Sequence, residues 1–130
     1  MIWNKIFDNK DLPKALLRYG LGVVLLYFGF SQIFNPTDWS GLVPGFVNSI
    51  ISASDFVFYN GIFEIIFATL LILGIYTRVV AAILTIHLAI ITAVLGFIPS
   101  GVRDFGLTVA SLVTFLDGRD KYCLENKWRG

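Results

Sequence analysis

Residues Phe56 to Ile98 read FVFYNGIFEIIFATLLILGIYTRVVAAILTIHLAIITAVLGFI, two long apolar runs parted only by Gly74 to Arg78. Each run approaches the roughly 20 residues that an α-helix, rising 1.5 Å per residue, needs to cross the hydrocarbon core of a bilayer. So short a connection permits only a tight antiparallel hairpin. Gly74 is placed to end the first helix and Thr77 to cap the second. Near the middle of each run stands one ionisable residue, Glu64 and His87. A charged group at that depth costs about 2.5 to 3.5 kcal/mol on insertion scales, so it faces protein or water and often marks a functional path.

Outward from the hairpin, Ala15 to Phe34 forms a third run, opened by Pro13 and closed by Asn35 and Pro36. On its other side Phe105 to Leu116 is short. It spans only if its helix starts near Ser100 and draws Arg103 and Asp104 into its first turn, or if the bilayer thins locally; otherwise three spans are joined by a buried half-helix. The fold expected is therefore all-α, an integral membrane four-helix bundle forming a single domain over residues 1–130, with spans at about 15–34, 56–76, 79–98 and 100–116. Within Asn35 to Asp55, the positions Leu42, Val43, Phe46, Val47, Ile50 and Ile51 repeat as one helical face. This spacing predicts a short amphipathic helix over about 40–52, lying in the membrane interface as a lid or a cover for helix ends.

Composition agrees. Of 130 residues, 56% are hydrophobic and 15% charged, and the mean hydropathy is +0.76, more apolar than a soluble domain of this size. Lys5, Asp8, Lys10, Asp11 and Lys14 make the start of the chain polar, so the first span is expected to remain in the mature protein. With four spans, Lys5, Lys10, Lys14, Arg18, Arg78, Arg119, Lys121, Lys127 and Arg129 share one side and Arg103 alone the other. That bias predicts both termini cytoplasmic in the cell membrane. A net charge of +1, divided between the sides, gives no footprint for nucleic acid.

The single cysteine, Cys123, cannot form an internal disulfide or a dithiol relay, and the single histidine cannot build a multi-histidine metal or haem site. No intrinsic haem, flavin or metal is expected. Asn60 and Glu64, four apart, share a helix face that should turn inward. They read either as a polar ligand anchor and proton acceptor or as an interhelical hydrogen bond. Counting inward from opposite ends of the hairpin places Glu64 and His87 about 5 Å apart in depth, close enough to meet directly or through water. Arg103 and Asp104 either cap the fourth span or join Gln32 and Asn60 in an outer polar vestibule. Arg18 and Arg78 are expected to snorkel to lipid phosphate. Gly22 and Gly29 lie on one face with Arg18 and Gln32, a face on which another helix can pack closely.

The run LRYGLGVVLLYFGFSQIFNP, from Leu17 to Pro36, resembles the opening helix of DoxX-family membrane proteins. The hairpin with Glu64, LLILGIYTR and His87 is similar too, as is the ending GRDKYCL from Gly118 to Leu124. The resemblance implies a four-helix membrane protein associated with quinone-linked oxidoreductase systems, such as thiosulfate:quinone oxidoreductase, and with membrane complexes that counter oxidative stress. The matching positions are Arg18, Glu64, Arg78 and His87, with Asp104 beside them; Gln32 stands where the family commonly carries a basic residue.

The function expected is thus a membrane subunit of a quinone-linked oxidoreductase system, binding a quinone or similar lipid head group. Glu64 and His87 would carry the proton. Asn60, Gln32, Arg103, Asp104 and Arg18 would complete the ligand-binding set, and electrons would come from a partner redox subunit or through a homo-oligomer. A small proton-coupled transporter and a non-catalytic lipid-binding scaffold are the alternatives.

Overall fold

A computed structural model describes residues 2–127, so Arg129, counted in the charge bias, lies outside the described residues. Every regular element described is helical. The order is α1 (Ile2–Asp8), α2 (Asp11–Phe34), α3 (Pro36–Trp39), α4 (Ala53–Leu73), α5 (Thr77–Leu95) and α6 (Pro99–Asp117), with single 3-10 turns at Ser40–Leu42, Gly45–Ser49 and Leu124–Lys127. Among the described residues α2, α4 and α5 are long and apolar enough to cross a membrane. α6 matches α5 in length at 19 residues but carries Arg103 and Asp104 in its first two turns.

Local chemistry sets the boundaries. The Asn9 side chain accepts from the backbone N–H groups of Asp11 (3.1 Å) and Leu12 (3.2 Å) and so opens α2. Ser52 does the same for α4 through Asp55 N–H. Gly74 ends α4 in the left-handed region at φ 74°, and its N–H and that of Ile75 both return to the carbonyl of Leu70. The expected cap from Thr77 is not made. Its own N–H instead donates to the Glu125 carboxylate at 3.2 Å, so the C-terminal segment closes the start of α5.

In place of the expected helix over 40–52 stand two 3-10 turns, Ser40–Leu42 and Gly45–Ser49. Pro44 takes φ −60° and ψ 144° and holds Val43 extended at ψ 129°, which no continuous helix tolerates. The apolar periodicity around it was real, but the proline cuts it in two.

α2 runs antiparallel along α4, and α5 along α6. Glycine makes the first pairing close. A Cβ on Gly61 would stand 2.7 Å from the carbonyl oxygen of Gly29, and one on Gly29 would meet Ile65. Gly22 packs against Ile72 in the same way, so the Gly22 and Gly29 face is a packing seam. Gly61→Ala is expected to push α2 from α4 and cost about 1 to 3 kcal/mol of stability, read as a lower thermal midpoint in detergent. Leu21 and Leu25 of α2, Ala68 and Leu71 of α4, and Val80, Leu84 and Leu88 of α5 form the buried core. α4 and α5 touch far less than either touches its antiparallel neighbour, and that gap matters for the site.

Candidate functional site

Away from the hairpin, the space between α4 and α5 widens into a cavity of about 260 Å³. Phe56, Val57, Asn60 and Glu64 line it from α4, and Ile90, Ile91, Val94 and Leu95 from α5. Gln32 of α2 and Arg103 and Asp104 of α6 complete its polar part, and Trp39, Leu42, Val43, Phe46 and Val47 roof it. The loop that fails as a helix still brings Leu42, Val43, Phe46 and Val47 to the cavity, while Ile50 and Ile51 lie off it. Phe46, Ile90 and Val94 are 71%, 59% and 49% exposed, so the cavity reaches the outer surface of the helices.

At its base three side chains form a closed set of hydrogen bonds. Gln32 Nε2 donates to one Glu64 oxygen at 3.1 Å, Asn60 Nδ2 donates to the other at 3.2 Å, and Asn60 Nδ2 also reaches Gln32 Oε1 at 2.7 Å. Glu64 is the twelfth of 21 residues in α4 and only 5% exposed. Both its oxygens accept from neutral amides rather than from a cation. Such donors hold the carboxyl in place without fixing a counter-charge on it.

The second polar group lies on α6. Arg103 donates through Nε to Asp104 at 3.0 Å and pairs through Nη2 at 2.9 Å. Its guanidinium stands 4.3 Å from the centre of the Phe28 ring and 5.5 Å from that of Trp39. Phe28 and Trp39 meet edge to face, and Trp39 Nε1 donates to Ser31 Oγ at 3.0 Å. Asp104 is the sixth residue of α6, too deep to cap it, and belongs to the vestibule instead. Gln32, Asn60, Glu64, Arg103 and Asp104 thus share one cavity.

Two expected site residues are elsewhere. His87 makes no hydrogen bond with Glu64; its ring lies 4.3 Å from that of Phe63, which in turn packs on Phe67 at 4.4 Å. Its Nε2 is buried without a partner. A depth difference of only about one helical turn did not bring the pair together, because the Gly61 face, which Glu64 shares, turns toward α2, leaving Phe63 to face α5.

Arg18 does not reach for lipid phosphate. It is fully buried and donates to Asp120 through Nε (3.0 Å) and Nη2 (3.2 Å), and through Nη1 to the carbonyls of Leu71 and Ile72. Both carbonyls lie in the last turn of α4, where Leu71 also accepts the Gly74 N–H at 3.1 Å, so the guanidinium satisfies the helix terminus as well as the aspartate. The segment after α6 is folded against the hairpin. The residues that sequence reasoning missed are Asp120, Glu125, Trp39 and Phe28. A signal existed for the first: an arginine inside an apolar helix requires an acidic partner, and the quoted ending GRDKYCL contains one. Among the described residues no group of three His, Cys, Asp or Glu is placed to hold a metal ion.

One family model, described as DoxX, matches residues 14–98. That span holds Arg18, Gln32, Asn60, Glu64 and His87 and stops short of Arg103, Asp104 and Asp120. No curated protein sequence matches the chain. No solved structure matches it either.

Proposed function

The chain belongs to the DoxX family, and from that premise we propose that it is a four-span subunit of a quinone-linked oxidoreductase system, holding a quinone or a lipid head group of like chemistry beneath Trp39. The observation that carries this reading is the cavity itself, apolar along α4 and α5 and polar at Glu64, Gln32, Asn60 and the Arg103–Asp104 pair. At about 260 Å³ it falls below the range of about 300 to 1,000 Å³ that whole drug-sized ligands occupy. It suits one ring-sized head whose tail leaves past Ile90 and Val94 into lipid. A substrate from water would have little use for an opening walled by exposed isoleucine, valine and phenylalanine.

In this reading α6 is the fourth span, with its ion pair turned into the cavity, and both termini lie on the cytoplasmic side of the cell membrane. Glu64, alone of the proposed proton carriers, touches the ligand space, so it takes or gives the proton that accompanies quinone reduction or quinol oxidation. Gln32 and Asn60 orient the head by hydrogen bonds. The electrons come from a partner subunit.

The test is the quinone content of the purified protein by mass spectrometry, for wild type and for Leu95→Trp, which fills the cavity from α5. A quinone bound to wild type and absent from an equally helical Leu95→Trp variant is the expected result. No quinone in either, or equal amounts in both, overturns the reading.

A further inference from the structure

The first helix has no place in the bundle. α1 buries none of its residues and is separated from α2 by Asn9 and Lys10. Yet it is strongly two-faced. At 100° per residue Ile2, Ile6, Trp3 and Phe7 occupy about 140° of arc, and Asn4, Asp8 and Lys5 fill the opposite side. Ile2, Trp3 and Phe7 are 70%, 61% and 78% exposed, and the Trp3 and Phe7 rings stack at 6.5 Å. A stacked aromatic pair left in water would be an unusual expense of apolar surface for a helix just before a membrane span.

The polar face of α1 borders a crevice lined by Asn4, Lys5, Asp8, Asn9, Lys10, Asp11 and Lys121. Its three lysines are exposed and none is in an ion pair among the described residues. Of its two carboxylates, Asp11 is already engaged by the Lys121 backbone N–H at 3.2 Å. Asn9 Nδ2 reaches the Tyr122 hydroxyl at 3.3 Å, so the corner between α1 and α2 meets the C-terminal segment at the edge of the crevice. Apolar and aromatic residues on one face of α1, three exposed lysines gathered in the crevice beside its polar face, of which Lys121 lies 5.2 Å from the Tyr122 ring centre, and direct continuity with a spanning helix are the features of an in-plane anchor on an anionic lipid surface.

We propose that α1 lies in the membrane interface with Ile2, Trp3, Ile6 and Phe7 in the acyl boundary, and that Lys5, Lys10 and Lys121 hold an anionic phospholipid head group at the hairpin end of the bundle. The site is separate from the cavity under Trp39 and does not depend on what that cavity binds. Its ligand is a lipid of the surrounding leaflet, and its role is to fix the depth of the α2 start and the closing segment.

The full chain, reconstituted in vesicles of zwitterionic phosphatidylcholine with or without phosphatidylglycerol, tests this. Cys123 is buried, so nitroxide labels go to Phe7→Cys or Asn4→Cys. The Phe7 label is expected to be relaxed more by oxygen than by a water-soluble nickel complex, and the Asn4 label the reverse. Native mass spectrometry is expected to show phosphatidylglycerol retained on wild type and reduced roughly fivefold or more when Lys5, Lys10 and Lys121 are all replaced by glutamine, with phosphatidylcholine unchanged. Equal water accessibility at both labels, or undiminished phosphatidylglycerol on the glutamine variant, overturns the proposal.

Discussion

Asp120→Ala is expected to destabilise the bundle by about 3 to 5 kcal/mol, the usual cost of leaving one partner of a buried ion pair alone, and to expose Cys123. Arg18 and Asp120 have side-chain exposures of 1% each, so no water replaces the lost carboxylate. The segment after α6 loses its main anchor at the same time. Cys123 is held there by hydrogen bonds with Asp120 and Thr77 and lies 4% exposed, and Glu125 N–H donates to the Gly74 carbonyl at 3.0 Å. The natural cysteine therefore reports the state of the latch. Its maleimide reaction, slow in wild type, should accelerate in Asp120→Ala, and the thermal midpoint should fall. Arg18→Met with Asp120→Leu should recover much of the stability, since well-packed apolar replacements for a buried pair are often neutral. If Asp120→Ala labels and melts like wild type, the ion pair does not hold the segment.

The helices were legible because the cost of polar groups in an apolar run dictates where they point. Glu64, Asn60 and Gln32 had to find one another, and Arg103 with Asp104 had to enter α6 or prevent it from spanning. The clustering of these five around one cavity follows from that constraint. Azimuth around a helix axis was harder to read. Depth put Glu64 within about one helical turn of His87, but Gly61, three residues before Glu64, turns that face toward Gly29 of α2, and close glycine contact outranks sequence adjacency in the hairpin. A reader weighting Gly61 as heavily as Gly22 and Gly29 would have paired α4 with α2 at that face.

Other features rest on single residues that periodicity ignores. Pro44 divides the predicted interfacial helix, although the residues on either side of it still reach the cavity. α1 escaped notice because Lys5, Asp8, Lys10, Asp11 and Lys14 mark the start of the chain as polar; its amphipathic pattern emerges only on a wheel. The folded C-terminal segment has no periodic signal at all. Its order comes from Arg18, whose five N–H donors inside the bundle require acceptors that the apolar helices do not supply as side chains.

Glu64→Leu is expected to weaken the binding of a short-chain quinone by about 10- to 100-fold, as the loss of a hydrogen bond to an ionisable group amounts to about 1.5 to 3 kcal/mol. The affinity is read by quenching of Trp39, which roofs the cavity, in a background of Trp3→Phe and Trp128→Phe. The leucine removes both acceptor oxygens and leaves the Gln32 and Asn60 amides without their shared partner. Glu64→Gln keeps one acceptor and the side-chain shape, so its binding should fall by less. His87→Leu should bind as wild type, because the imidazole lies against Phe63 and not on the cavity wall. Equal quenching curves for all four proteins would remove Glu64 from the ligand site. The glutamine variant separates two roles within the same carboxyl group, since it can still position a head group but can no longer exchange a proton. Near-normal binding with slower oxidation of bound quinol by added ferricyanide, which takes the two electrons while two protons pass to a pH-sensitive dye, would assign Glu64 to proton transfer, whereas a parallel loss of binding and rate would make it an anchor.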